Sequence, residues 1–425
     1  MAVSFASTPT DAITVADQHL IYQVSESTSP LSDDFRFVIT VYDGTSTSGT
    51  LLNKLYLTPN TNEDAFFNLG EVVRGLVIVD DRNYQGTTVL HSYTARYFTR
   101  SNGGIRAFTV GVGTWDGTTE TLNVEAERIY LIDGHFQISQ GFDPSFTEYY
   151  PYNAANKTWL TDRVEEDNII TINAAEEDEG VVAFLNKNSL NSQPISSTVK
   201  FEVIVYDASG TQLSTNDIDV NTTNGAQLVT ASTPINGFLC YFAIYPSNLD
   251  AISGFLTSEP TWDYYDVIPQ TSVFDAQSGN KLRFKKNCRP VKHSPVQLAW
   301  ANTVGGWDYL RFDGKKRKTV TREEKSYRKI VGDYDASSFS FTSFDRETQP
   351  YHVEAKEQYV LNGILTIEEL TLLQYCMRSK NVMARIDGSW VPVIIQSNSM
   401  QIEEETVSKI FMTSFNVELA QYIRC

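Results

Sequence analysis

Short runs in which apolar and polar residues alternate, separated by clusters of Gly, Asp, Asn and Ser, fill most of the chain up to about residue 280 and predict strands. The best is Phe37-Val38-Ile39-Thr40-Val41-Tyr42-Asp43, which leads into the turn-rich stretch Gly44 to Gly49. A second string, Phe201-Glu202-Val203-Ile204-Val205-Tyr206-Asp207, keeps Phe, Val, Tyr and Asp at the same relative positions and also enters a turn, at Ala208-Ser209-Gly210. Period two places Phe37, Ile39 and Val41, and likewise Phe201, Val203 and Val205, on one face that should be core. Two related sandwiches follow if the match is a duplication; such strings are also common enough to arise by coincidence. Further strands are expected at His19 to Val24, Lys54 to Leu57, Leu76 to Val79, Tyr93 to Thr99, Arg106 to Val112, Ile169 to Asn173, Val181 to Leu185 and Phe238 to Tyr245. The stretch Phe66 to Val73 is ambiguous between strand and a short helical turn.

From about residue 290 the texture becomes mixed. Thr366 reads as an N-cap, with Glu368 and Glu369 in the first turn and Leu370, Leu373 and Cys376 as a buried stripe, which predicts a helix over Ile367 to Ser379. Val382 to Ile386, Asp387-Gly388 and Trp390 to Gln396 then read as a hairpin, and Lys409 to Tyr422 as a closing strand. The expected fold class is therefore mainly β and multidomain, with immunoglobulin- or fibronectin-like β-sandwiches and a C-terminal α+β domain. At 425 residues the chain exceeds what one core usually supports, and the expected division is 1–130, 131–290 and 291–425. Aromatic residues at 12% suit half-buried sheet faces.

Charge changes the picture, because the net −18 is uneven. Residues 1–280 carry 12 Lys and Arg against 35 Asp and Glu, residues 281–329 carry 15 against 4, and residues 330–425 carry 7 against 13. The basic run Lys315-Lys316-Arg317-Lys318, with Arg322 beyond it and Trp300 and Trp307 before it, is the most informative feature for function. Three readings compete: a solvated loop, docking on an acidic protein face, and nucleic-acid binding, against which the acidity of the rest of the chain argues. Head-to-tail docking of copies into a ring or shell would use both poles. Lys315, Lys316, Arg317, Lys318, Arg322, Trp300 and Trp307 are the candidate interface residues. For the two tryptophans, core packing is the competing expectation.

Catalytic signals are sparse. His19, His91, His135, His293 and His352 lack metal-helix spacing, and no nucleophile elbow, phosphate loop or dinucleotide fingerprint is present. Ser326-x-x-Lys329 matches a weak string within the basic run. Glu176 to Gly180 reads as a solvated turn rather than a cation site, since consecutive acids diverge. Cys240, Cys288, Cys376 and Cys425 are too far apart for a metal or redox pair and are expected as free thiols. No enzymatic role, cofactor or metal is expected. No segment reads as a signal peptide or membrane span, so folding in a cytosol-like compartment is expected.

Several strings resemble the virion structural proteins of tailed phages that infect Bacteroidetes, including crAss-like, flavobacterial and related marine phages. They are Leu20 to Ser25, Phe37 to Tyr42, Leu55, Pro59-Asn60 and Phe66-Phe67-Asn68-Leu69 before Val73. Later come Cys288, Pro295-Val296-Gln297-Leu298-Ala299-Trp300-Ala301-Asn302, Gly305-Gly306-Trp307-Asp308 and Phe312, and finally Trp390 to Val393 and Phe415 to Ala420. About a third of the chain is covered, in order. Ala126 to Ser145 departs from the resemblance and is expected as an insertion or extra module. The resemblance implies a tail, baseplate or neck component, assembled in the bacterial host cytoplasm into the virion, with copies of itself and other tail proteins as partners and no membrane partner. The alternatives are a host-binding adhesin or head-decoration protein that contacts a host glycan and, third, a polysaccharide-degrading tail enzyme.

Overall fold

The computed structural model describes residues 3–27, 31–83, 85–135, 146–149, 157–186, 189–190, 193–194, 198–220, 223–224, 238–271, 279–289, 292–334, 337–340, 342, 344, 346–396, 410–420 and 423–424. At 53% strand and 9% helix it is mainly β. The chain forms two compact units: Met1–Arg289 with Trp300–Tyr309, and Pro290–Ala299 with Leu310–Cys425.

The first unit opens with β1 (Val3–Ser7), β2 (Ile13–Val15), β3 (Ile21–Glu26), β4 (Arg36–Asp43), β5 (Thr50–Leu57) and β6 (Asp64–Asn68). Helix α1 (Leu69–Val73) follows, then β7 (Phe98–Arg100), β8 (Ile105–Trp115) and β9 (Glu120–Ile132). One sheet has the order β1-β3-β6 and the facing sheet β2-β9-β8-β4-β5, with β2 parallel to β9. Alternation does what the sequence predicts: Phe37, Ile39 and Val41 of β4 meet Tyr22 and Val24 of β3, Phe67 of β6 and Phe108, Val110 and Val112 of β8 in one buried core.

The same plan recurs. Next come β10 (Trp159–Leu160), β11 (Glu165–Glu166), β12 (Ile169–Ala174) and β13 (Val182–Leu185), then the two-residue pair β14 (Ser189–Leu190) and β15 (Gln193–Pro194). They are followed by β16 (Thr198–Asp207), β17 (Gln212–Asp219), β18 (Leu239–Phe242), α2 (Pro246–Ser253), β19 (Trp262–Thr271) and β20 (Lys281–Lys286). The sheets run β10-β13-β18-β7 and β11-β12-β20-β19-β16-β17, with β12 parallel to β20. Leaving out β7, β11 and the β14–β15 pair, β1 to β6, α1, β8 and β9 map in chain order onto β10, β12, β13, β16, β17, β18, α2, β19 and β20. Both central hairpins even break register at the same Val-Tyr step, Val41/Tyr42 and Val205/Tyr206. The short strings at 37–43 and 201–207 therefore mark a repeated immunoglobulin-like sandwich.

One strand does not respect the repeat. Strand β7 lies in the first repeat's chain but pairs with β18 of the second, Phe98 opposite Phe242 and Arg100 opposite Cys240. Phe98 is buried among Phe242, Phe201 and Phe184, at ring distances of 4.5, 5.8 and 6.1 Å. The expected boundary at 130/131 thus falls inside one unit, because the first sandwich lends its neighbour an edge strand.

Several expectations change. Leu76 to Val79 is not a strand, and Tyr93 to Thr99 shrinks to Phe98–Arg100. Phe66 to Val73 divides into the end of β6 and α1, where the side chain of Asn68 caps the helix by accepting from Gly70 N. Phe238 to Tyr245 gives only the four residues of β18, because Pro246 at the first turn starts helix α2, which Gly254 ends in a left-handed conformation. The departure at Ala126 to Ser145 is in part the ordinary strand β9; residues 136–145 lie outside the described residues.

The second unit holds one sheet of order β22-β21-β27-β28-β29-β26-β23. Its strands are β21 (Val296–Ala301), β22 (Trp307–Phe312), β23 (Arg317–Arg328), β26 (Thr348–Thr366), β27 (Val382–Ile386), β28 (Ser389–Ile395) and β29 (Ile410–Leu419). A two-residue pair, β24 (Asp333–Tyr334) with β25 (Phe339–Ser340), precedes β26, and β30 (Ile423–Arg424) adds to β26. Strands β21 and β22 have residues in both units. Helix α3 (Ile367–Arg378) has the expected cap and more, a reciprocal box in which Thr366 Oγ1 accepts from Glu369 N and Glu369 Oε2 accepts from Thr366 N. Asp387 and Gly388 both take positive φ, 51° and 84°, as the predicted two-residue turn requires. The closing strand is described over Ile410–Leu419; 409 and 421–422 lie outside the described residues.

Candidate interaction surface

Trp300 and Trp307, expected at an interface, are corrected by their burial: they are 0% and 2% exposed. The segment carrying them is the clasp of the first unit. Asn302 Nδ2 donates to Leu160 O, and its Oδ1 accepts from Gly306 N at 2.7 Å. Gly305 takes φ 89°, and a Cβ on Gly306 would stand 2.2 Å from Leu160 O, so both glycines are required. Trp307 Nε1 donates to Asp80 O at 2.7 Å, and its ring lies edge-on to His91 at 4.6 Å. Asp308 accepts from Thr161 Oγ1 and from Asp162 N, while Asp162 accepts from Thr303 N and Oγ1. The Gly-Gly-Trp-Asp string is thus folding chemistry that ties residues near 80–91 to residues near 160.

The titratable groups gathered here are engaged in that tie. Burial raises the Asp162 carboxyl, with Asp308 adding repulsion, to about 7, and burial also raises Asp308. Burial lowers the His91 imidazole to about 3 and keeps it neutral, with Nδ1 2.8 Å from the Tyr309 hydroxyl, which accepts from Val181 N. The acidic turn is solvated at Glu176 and Glu177, as expected, whereas Asp178 is buried and accepts from Ala175 N. Among the described residues no group of three His, Cys, Asp or Glu could hold a metal. A cleft of about 660 Å³ lies beside Asp43, Asp81, Leu76, Ile78 and Arg106, where Arg106 pairs with Asp43 and donates to Leu76 O. Cys240 and Cys376 are buried free thiols and Cys288 an exposed one, as expected; Cys425 lies outside the described residues.

The basic run lies at the start of a two-stranded ribbon that sequence reading missed. Strand β23 pairs with β26 from Arg317 opposite Val360 to Arg328 opposite Thr348, and all twelve β23 residues are exposed. Carboxylates of β26 and of Glu347 just before it, of the turn after β27 and of β23 itself answer part of its charge. Lys316 Nζ is 2.7 Å from Asp387 and Lys318 Nζ 2.7 Å from Glu357, while Arg322 bridges Glu324 at 2.7 Å. Arg328 bridges Glu347, and Lys356 bridges Glu323 at 2.8 Å. Lys315 is exposed and its carbonyl accepts from Asn362 Nδ2; Arg317 begins the exposed strand. Lys318, Arg328 and Lys356 each have a carboxylate from across the ribbon, so the expected positive pole is partly compensated as folded. The pairing is periodic in space and invisible along the chain, which is why a running charge count overstated it. What the ribbon does present is apolar: Val320, Tyr327, Ile330, Phe344 and Tyr351 are exposed, Phe344 to 91%. Strand β23 also ends the sheet order, so among the described residues no strand covers its outer edge.

On the first sandwich Tyr56 and Phe66 are exposed aromatic side chains. Tyr56 and Trp115 meet edge to face, at 77°, and the Tyr56 hydroxyl and Lys54 both bind Glu120.

No helix among the described residues is long and apolar enough to cross a membrane. No protein-family pattern matches the chain, and no curated protein is similar to it. Among solved structures it is similar to the fibronectin(III)-like modules of Clostridium thermocellum CbhA, at 7% identity and TM-score 0.18, over 69% of this chain and 99% of that one. The sandwich assignment rests on strand order and packing, and the fold that emerges is a mainly β, multidomain chain with immunoglobulin- or fibronectin-like sandwiches.

Proposed function

We propose that this chain is a structural component of a tailed-phage virion, in the tail, baseplate or neck, and that it works by docking to copies of itself and to neighbouring virion proteins. The observation that carries the docking role is β23: twelve ordered, wholly exposed strand residues with one edge unpaired among the described residues. A strand laddered on one edge only is a template for a partner on the other. The placement in a virion rests on the sequence resemblance. The polar network around Asp162 and Asp308 supports a mechanical role, since its carboxylates accept the hydrogen bonds that hold the clasp together. Purified full-length chain examined by negative-stain microscopy and multi-angle light scattering should form regular multimers. A monomer at every ionic strength, or hydrolysis of host capsule by the pure chain, would overturn the proposal.

A further inference from the structure

Strand β23 has an internal charge order that suits one particular occupant. When two copies of a strand pair antiparallel about a two-fold axis, one residue faces its own copy, and residues on either side of it face each other reciprocally. We infer that β23 pairs edge to edge with β23 of a second copy, with Glu323 on the axis. In that register Lys318–Arg328 of each copy is paired. Arg322 of one copy faces Glu324 of the other, and the reverse contact, together with the 2.7 Å Arg322–Glu324 bridge inside each copy, closes a four-charge network of alternating sign. Thr321 faces Lys325, Val320 faces Ser326 and Thr319 faces Tyr327.

Like charges meet at three contacts in this register, Glu323 with its copy and Lys318 with Arg328 twice, and each of these side chains already has its counter-ion within its own chain. Glu323 faces its copy, but Lys356 lies 2.8 Å from it. Lys318 faces Arg328, but Lys318 is held by Glu357 and Arg328 by Glu347. Moving the axis to Arg322 sets guanidinium against guanidinium and leaves Glu324 opposite Val320. Edge strands are commonly guarded by charge against such pairing. A guard works because identical charges meet, whereas here the Arg322–Glu324 order turns the identity of the two copies into complementarity. The inference rests on the assembly role proposed above and narrows it to a named edge and partner.

The test uses the full chain with Cys288 and Cys425 replaced by Ser. Light scattering across a concentration series reads the dimer, and circular dichroism confirms that each variant is folded. Arg322→Glu alone and Glu324→Arg alone should each weaken the dimer at least about tenfold, since two facing pairs turn repulsive. The double exchange Arg322→Glu with Glu324→Arg should restore it. Glu323→Cys should form a disulfide-linked dimer under mild oxidation and Thr319→Cys should not. Multimers indifferent to the single reversals would overturn the edge pairing and leave the assembly role standing. A monomer throughout would overturn both, and a folded double exchange that stays monomeric, or crosslinking at 319 in place of 323, would overturn the register.

Discussion

Replacing Phe98 by Ala should destabilise the second sandwich, although Phe98 lies in the chain of the first. The residue is fully buried, and its ring lies 4.5 Å from Phe242 and 5.8 Å from Phe201. Backbone bonds fix the strand on both sides: Phe98 N donates to Asn224 O at 2.9 Å, Ala243 N to Tyr97 O at 2.8 Å and Ser101 N to Leu239 O at 2.9 Å. A strand held that firmly cannot collapse into the space the ring leaves, which places the loss in the usual range of about 3–5 kcal/mol for a buried phenylalanine. For a unit this large, that is a fall in Tm on the order of 2 °C per kcal/mol. Urea unfolding followed by tryptophan fluorescence suits the site, because Trp159 packs 5.1 Å from Phe201 in the same core. Phe66→Ala, on an exposed ring, is the control and should change stability by less than about 0.5 kcal/mol. A loss below about 1 kcal/mol for Phe98→Ala, at an unchanged urea slope, would show that the strand is decoration and that the two sandwiches stand independently.

Asp162 carries a carboxyl raised to about 7 against an unfolded value near 3.8. Its folded form binds the extra proton, so its contribution is complete below pH 4 and is lost as pH rises through 7. Asp162→Asn should therefore remove part of the stability loss between pH 5 and 8, measured as urea midpoints across that range; an unchanged profile would exclude Asp162 as the source. Trp307→Phe keeps most of the packing but strands the Asp80 carbonyl that the indole N–H now serves, and should cost roughly 1–3 kcal/mol in the same assay. Thr366→Ala removes half of the capping box of α3 and should cost about 1 kcal/mol, while Thr366→Ser should cost much less.

The legible parts of the fold were those decided by neighbours in sequence. The α3 cap is local chemistry of Thr366 and Glu369, the Asp387-Gly388 turn is a demand on two φ angles, and the core faces of β4 and β16 follow from period two. The duplication was visible only in two strings, because sandwich cores accept many apolar sequences while strand order stays fixed. Strand β7 was illegible for a different reason: Phe98 reads as one more alternating residue, and only pairing with Leu239–Phe242 reveals whose core it enters. Trp300 and Trp307 left surface and core open because they precede a basic run; both are buried, and Trp307 is drawn inside by Asp80 and His91. Of the candidate surface, the location was legible and the character was not.

That character changes how recognition must work. Net charge counted along 281–329 suggests a field strong enough to steer an acidic partner, and such attraction would fade over the Debye length as salt is added. Folding the run into a hairpin gives several of its cations a carboxylate, at 2.7–2.8 Å for Lys316, Lys318, Arg322 and Lys356. What remains for a partner is short-ranged: the order of charges along one edge, the outer backbone edge of β23 that no described strand covers, and a few exposed apolar side chains. Interactions of that kind discriminate by register, and their salt dependence is that of exposed pairs worth a fraction of a kcal/mol each. Association that survives physiological salt but fails on a single charge reversal is the signature of such an edge, whereas a complex that dissolves with salt and tolerates the reversal would return the argument to net charge.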